Sequence, residues 1–242
     1  MRLALAFVAL LAAASAAAQD NNPPVSRCLA IAQLVPGATY ADLTPYSVTP
    51  ARRVSAHSET VEITYAGHST SLIQTPAGVR IATDFSGVHG TAFQPQVVTM
   101  NRAHPIHFTF DPLPGVDYVL HGWGDNERPV HHALQVDDVL LYNVTTHIPT
   151  WDGGHARDEN SIFIFEVADL CIGRLGHLHT KLSNHQFGKI GRLDIVMAPI
   201  DGGLTQSVTS MSEIVTRLYA SIVLPMHRHS TLIGAFTSLM GE

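Results

Sequence analysis

The chain is poor in charge and in sulfur. Charged side chains make up 14% of its 242 residues, and 14 Lys and Arg are outnumbered by 20 Asp and Glu, giving a formal net charge of -6. That balance provides no basic footprint for a nucleic-acid backbone. Only two cysteines are present, Cys28 and Cys171, and they lack the spacing of a zinc ribbon or a redox pair. They suit either one disulfide or two small buried apolar side chains. Beyond the first 18 residues no run is long and apolar enough to cross a bilayer. No low-complexity linker divides the chain. Its 45% hydrophobic content is nevertheless ample for a folded core, which excludes disordered and collagen-like classes.

The N-terminus has the layout of a secretory signal: Arg2, an apolar run from Leu3 to Ala14, then Ala16, Ala17 and Ala18. The A-x-A triplet predicts cleavage after Ala18, and the run is shorter than the roughly 20 residues a spanning helix needs. The expected product is periplasmic or secreted, without a membrane span, and folds in an oxidising compartment. Residues 19–58 read as an N-terminal extension containing a short helical segment, Cys28 to Val35. Residues 59–242 read as one mixed α/β domain.

Within that domain short β-type runs are punctuated by Gly and Pro. They cover Val61 to Tyr65, Ser71 to Thr75, Val79 to Thr83, Gln96 to Met100, Tyr118 to Leu120, Val139 to Val144, Ser161 to Val167, Leu170 to Gly173, Ile195 to Ala198 and Ser221 to Leu224. The clearest helix is Met211 to Tyr219, where Met211, Ile214, Val215 and Leu218 share one face and Ser210 with Glu213 forms a capping box. Leu232 to Met240 suits a second.

Against this background stand 15 histidines, which make metal binding the first candidate chemistry. Their positions add to their number. Gln96 to Met100 leads to His104 and His107, Val139 to Val144 leads to His147, Leu170 to Leu175 leads to His177 and His179, and Ser221 to Met226 leads to His227 and His229. Asp84 closes an earlier strand and Asp201 follows Ala198-Pro199-Ile200. Loops beyond the carboxyl ends of strands converge in layered sheets, so these groups have a route to one site. Each histidine alone is as well explained by capping a backbone group.

The blocks YAGHSTSLIQTPAGVRIATDF (65–85), VVTMNRAHPIHF (97–108), LGHLHT (175–180), DIVMAPIDGG (194–203) and VLPMHRHS (223–230) resemble, in order, those of metallo-β-lactamase-fold proteins, and most of all the branch of the L-ascorbate-6-phosphate lactonases and related hydrolases. The resemblance runs from about Val61 to the C-terminus. It implies a four-layer αββα sandwich with a metal site at one edge of the two sheets. It also implies metal ligands at His104, His107, His147, His177 and His227, with Asp84 orienting a ligating histidine and His68 lining the pocket. For Asp84 an Asx turn, and for His68 a backbone contact, are the alternative readings.

The family loop T-H-x-H-x-D-H corresponds here to Asn101-Arg102-Ala103-His104-Pro105-Ile106-His107. Arg102 stands at the first histidine and Ile106 at the aspartate, and His177 takes the place of a bridging aspartate. Without those carboxylates two dications are hard to neutralise, so one zinc-like ion, or none, is expected. Catalytic roles then fall to His177, to Asp201 as a base, and to Arg102 as an anion-binding fork. Two functions fit. One is a hydrolase using a metal-activated water on a small ester, lactone or phosphodiester. The other is a degenerate relative that binds a ligand or partner without hydrolysis, since a fold hosts many functions.

Overall fold

The computed structural model describes residues 26–32, 60–87, 94–125, 128–227 and 232–241. The leader over residues 1–18, most of the extension 19–58, and His229 lie outside the described residues. The elements are α1 (Arg27–Ala32), β1 (Glu62–Gly67), β2 (Thr70–Gln74), β3 (Arg80–Thr83), β4 (Val97–Met100), β5 (Tyr118–His121), β6 (Ala133–Val136), β7 (Val139–Pro149), β8 (His155–Val167), β9 (Leu170–Arg174), α2 (Asn184–Ile190), β10 (Ile195–Pro199), α3 (Val208–Arg217), β11 (Ile222–Met226) and α4 (Leu232–Met240). They build a five-stranded sheet, β1-β2-β3-β4-β5, and a six-stranded sheet, β11-β10-β9-β8-β7-β6.

Alternation along the strands decides which face each side chain serves. Ile73, Ile81, Val97, Leu141, Phe163, Phe165, Ile172 and Met197 point between the sheets and form the central core. Their neighbours Ile162, Ile164, Val196 and Ala198 point outward, under a helical layer that contributes Ile190, Met211, Ile214, Val215 and Phe236. Leu72, Ala82 and Val98 cover the outer face of the smaller sheet, packed by Phe108, Leu113, Val116 and Trp123. The result is the expected α/β sandwich of two mixed sheets. Among the described residues the outermost layer on the smaller sheet is the loop that follows β4, where the αββα pattern has a helix.

Three elements differ from their sequence expectation for local reasons. Helix α3 begins at Val208, three residues before the expected start, because Ser207 is the N-cap and its hydroxyl accepts the Ser210 N–H at 3.1 Å. Helix α2 has a glycine at its centre and little intrinsic propensity. A capping box at Ser183 and Gln186 holds its first turn, and Gln186 also donates to Thr145 O at 2.9 Å. Strand β7 continues past Val144 to Pro149, with a register irregularity between Thr146 and Ile148. The extra length is made possible by β8, which begins at His155 and pairs along it.

The extension is fastened to the larger sheet. Cys28 and Cys171 form a disulfide with Cα atoms 5.8 Å apart, and both lie in the outer core. Glu166 on β8 accepts the Arg27 N–H at 2.8 Å and the Ser26 hydroxyl at 2.9 Å, which satisfies the first donors of α1. The bridge closes a sequence separation of 143 residues. Such a link is expected to contribute about 2–5 kcal/mol, mainly by constraining the unfolded chain. Replacing both cysteines by serine should therefore lower the denaturant midpoint and raise the m-value, since the released unfolded chain is less compact. An unchanged midpoint would show that α1 adds no stability through this bond.

Candidate metal centre

Strands β3, β4 and β5 run parallel in one sheet, as do β9, β10 and β11 in the other. Their carboxyl ends carry Asp84, the segment Asn101–His107, the segment Gly176–His179, Asp201 and His227, and the β1–β2 turn adds His68. Ring centroids of His107 lie 5.7 Å from His68, 5.1 Å from His227, 4.7 Å from His177 and 5.7 Å from His104. Four of the five histidines expected as ligands are thus brought together with His68.

Asp84 is the anchor. It is fully buried, and its Oδ1 accepts the Asn101 N–H at 3.2 Å while Oδ2 accepts from His107 Nδ1 at 2.6 Å and from Arg174 Nη2 at 3.1 Å. Burial alone would favour the neutral acid, but His107, Arg174 and the Asn101 N–H outweigh it and hold the carboxyl well below the usual range. An ionised carboxylate only accepts hydrogen bonds, so His107 Nδ1 donates to Asp84 and Nε2 is left as the nitrogen without a hydrogen-bond partner. A carboxylate accepting the far N–H in this way orients a metal-binding imidazole and raises its basicity. Arg174 extends from β9 between the sheets, fully buried, and also donates to the Ser69 carbonyl.

His68, His107 and His227 each present one ring nitrogen within 4.8 Å of the other two. His107 Nε2 and His227 Nε2 are buried and have no hydrogen-bond partner. Buried polar nitrogens without a partner cost on the order of 1–3 kcal/mol each, so a site that gathers them calls for a ligand. Three neutral imidazoles fit a divalent cation such as zinc. His68, Asp84 and His227 all adopt left-handed backbone, with φ of 46°, 52° and 52°. Such conformations are uncommon outside glycine and cluster at functional sites.

Around this trio lie the remaining groups. His177 is pushed down to about 3 by burial, then by His107, His179, Arg102 and His227 around it. Its Nδ1 lies 2.5 Å from His179 Nε2 and 3.2 Å from Arg102 Nη1. His104 and His179 are also shifted towards the neutral form, chiefly by burial. Asp201 Oδ1 accepts the Gly203 and Thr205 N–H groups, and its Oδ2 stands 3.9 Å from His227 Nδ1, too far for a hydrogen bond. Burial opposes ionisation of Asp201, yet His227 and these backbone donors bring it down to about 2. A cavity of about 290 Å³ opens here, lined by Tyr65, His68, Ile106, His177, Asp201, Leu204 and His227.

His147 lies elsewhere. It sits within β7 at the register irregularity, where its Nδ1 accepts the Asp158 N–H at 3.1 Å, and it lines a separate cavity with His155 and His185. The sequence reading placed it in a loop beyond a shorter strand. His68 lines the pocket and also belongs to the trio. Arg174, Asn160 and His179 carried no assigned role, although an arginine at an inward position of a β run was a visible signal. Asn160 positions two of the groups: its backbone bridges to Arg102 and its Oδ1 accepts the His177 N–H at 3.1 Å.

Gly176 sets the direction of the His177 loop. Its φ is 61°, and a Cβ there would come within 2.3 Å of the Asn101 side chain, which is itself held to Ser161 O at 2.6 Å. Gly176→Ala is expected to cost about 2 kcal/mol through strain and overpacking. Thermal unfolding with and without bound metal measures it, and an unchanged Tm would mean that the loop relaxes freely.

A family model described as a β-lactamase superfamily domain matches residues 62–227. Three solved structures share the fold. One is a protein named as a zinc-dependent hydrolase of the metallo-β-lactamase superfamily from Thermotoga maritima, with TM-score 0.52 and 24% identity over 74% of this chain and 86% of that one. Another, named as a metal-dependent hydrolase from Parabacteroides distasonis, has TM-score 0.59 and 14% identity over 75% and 89%. The third, a metallo-hydrolase from the archaeon Ignicoccus hospitalis, has TM-score 0.52 and 17% identity over 74% and 91%. No curated protein matches the chain.

Proposed function

Because the chain belongs to the β-lactamase superfamily, we propose that it is a hydrolase that holds one divalent metal ion, zinc by the chemistry of its donors, on His68, His107 and His227. The observation that carries this reading is the convergence of those three imidazoles with buried, unpartnered nitrogens on His107 and His227. When bound, such an ion supplies a Lewis acid and makes water a usable nucleophile near neutral pH. Asp84 fixes the tautomer and ring plane of His107, and the Asp201 carboxylate stands 3.9 Å from His227 Nδ1. Tyr65, Ile106 and Leu204 give one side of the cavity an apolar lining. Its volume suits a small ester, lactone or phosphodiester. The Cys28–Cys171 bond supports a periplasmic or secreted setting, since such bonds persist in oxidising compartments.

The test is hydrolysis of a panel of small esters, lactones and phosphodiesters by the purified chain, with saturating zinc and after chelation. Turnover that chelation abolishes and zinc restores is the expected result. Turnover indifferent to chelation, or no zinc bound at saturation, would overturn the reading.

A further inference from the structure

Beside the trio lies a second gathering of nitrogens, and it already surrounds a positive charge. His177 Nδ1 and His179 Nε2 are 2.5 Å apart, and Arg102 Nη1 stands 3.2 Å from the first and 3.5 Å from the second. Two imidazole nitrogens at that separation hydrogen-bond through one shared proton, in a direction set by their tautomers, and the Arg102 donor lies beside the accepting nitrogen. Guanidinium nitrogens only donate, so Nη1 supplies the cation and occupies the place where the two rings converge. Asn160 sets this geometry from both sides, through its bridge to the Arg102 backbone and its bond to the His177 N–H.

Only Nη1 is used. Among the described residues, Arg102 Nε and Nη2 form no hydrogen bond, and Arg102 is half-buried. Glu159 is close enough to act on Arg102 electrostatically but forms no ion pair with it. His177 is shared between this group and the cavity of the trio, with its ring 4.7 Å from His107 and 5.9 Å from His227. A planar fork with two unused donors, one imidazole away from the metal-fit trio, matches an oxyanion. Among the described residues Asp201 is the only carboxylate lining the cavity, and its Oδ1 is already engaged by two backbone N–H groups.

Building on the hydrolase reading, we infer that the Arg102 guanidinium is the site's second, built-in cation: it fills the His177–His179 donor pair, limits the centre to one metal ion, and binds the anionic group of an oxyanion-bearing substrate, a phosphate or a carboxylate.

Two measurements test this, and neither needs turnover. In the first, the wild-type chain is titrated with zinc alone against a chromophoric chelator. One equivalent is expected for wild type, and a second, weaker equivalent should appear in Arg102→Gln, where the imidazole pair is released. Two equivalents in wild type would overturn the proposal whether or not any variant folds. In the second, inorganic phosphate and acetate are titrated into metal-free wild type, Arg102→Lys and Arg102→Gln. At least a tenfold weakening for one of the two anions in Arg102→Gln, partly recovered in Arg102→Lys, is expected and identifies which oxyanion the fork prefers. Affinity for both anions unchanged in Arg102→Gln would overturn the proposal. Should wild type bind no zinc while phosphate still depends on Arg102, the hydrolase reading fails and the anion site stands.

Discussion

His107→Ala is expected to weaken zinc binding by at least about 100-fold and to remove chelator-sensitive hydrolysis with it. Losing an outer partner of a ligating histidine typically costs 10–100-fold in affinity, and here the ligand itself is lost. His107 is the fully buried member of the trio, and its proton position is fixed by Asp84. Water therefore has little access to substitute for it. His227→Ala should lose a similar factor, because its buried Nε2 likewise has no hydrogen-bond partner among the described residues. His147→Ala is the internal control. That ring sits in a separate cavity wall, and its removal should leave zinc affinity within about twofold. Competition against a chelator of known affinity reads all three, with circular dichroism to confirm folding. If His147→Ala lost affinity as His107→Ala does, the metal would have to be reassigned.

The second large effect is on stability. Asp84→Ala should destabilise the protein by roughly 3–5 kcal/mol, because it leaves the buried Arg174 guanidinium without its counter-charge. At the scale of a 150–250-residue domain that is a fall in Tm of about 10 °C. Asp84→Asn keeps the shape and still removes the charge, so it should fall between the two. The two roles of Asp84 are separable. Pairing Asp84→Asn with Arg174→Met removes both charges, as replacing buried ion pairs by apolar groups of similar volume often restores stability. Zinc affinity should stay low in the double variant, since an amide orients His107 less strongly than a carboxylate. If the double variant recovered both properties, Asp84 would matter only to folding.

The fold was legible from the sequence where alternation and turn residues act locally. Ten of the strands follow from runs such as Val61 to Tyr65 and Ser161 to Val167, each of which falls within a strand or within a residue or two of one. What escaped was set by partners distant in sequence. Strand β6 has only a four-residue alternation and depends on pairing with β7, and α2 depends on its capping box. At the site, strand-end histidines could be found because the carboxyl ends of parallel strands converge. The division of labour among them could not. Whether His68 or His147 joins the trio depends on a turn at one end of β1 and on how far β7 extends, and neither is a property of the residues next to the histidine. Arg174 was hidden for the opposite reason: a charge at an inward position looks like an error until its partner, Asp84, 90 residues earlier, is known.

The left-handed backbone at His68, Asp84 and His227 also restricts what else can occupy those positions. Asn, Asp and Gly accept such φ values readily, whereas Val, Ile and Thr do so at a cost of roughly 1–2 kcal/mol or more. A randomised library at these three sites, selected only for soluble folded protein, would therefore return mostly polar or small residues. Several of those can bind metal. The backbone thus biases the positions towards ligand-type side chains before any selection for chemistry, and an engineer seeking to change the metal has its alternatives already narrowed to residues such as Asp at 68 and 227.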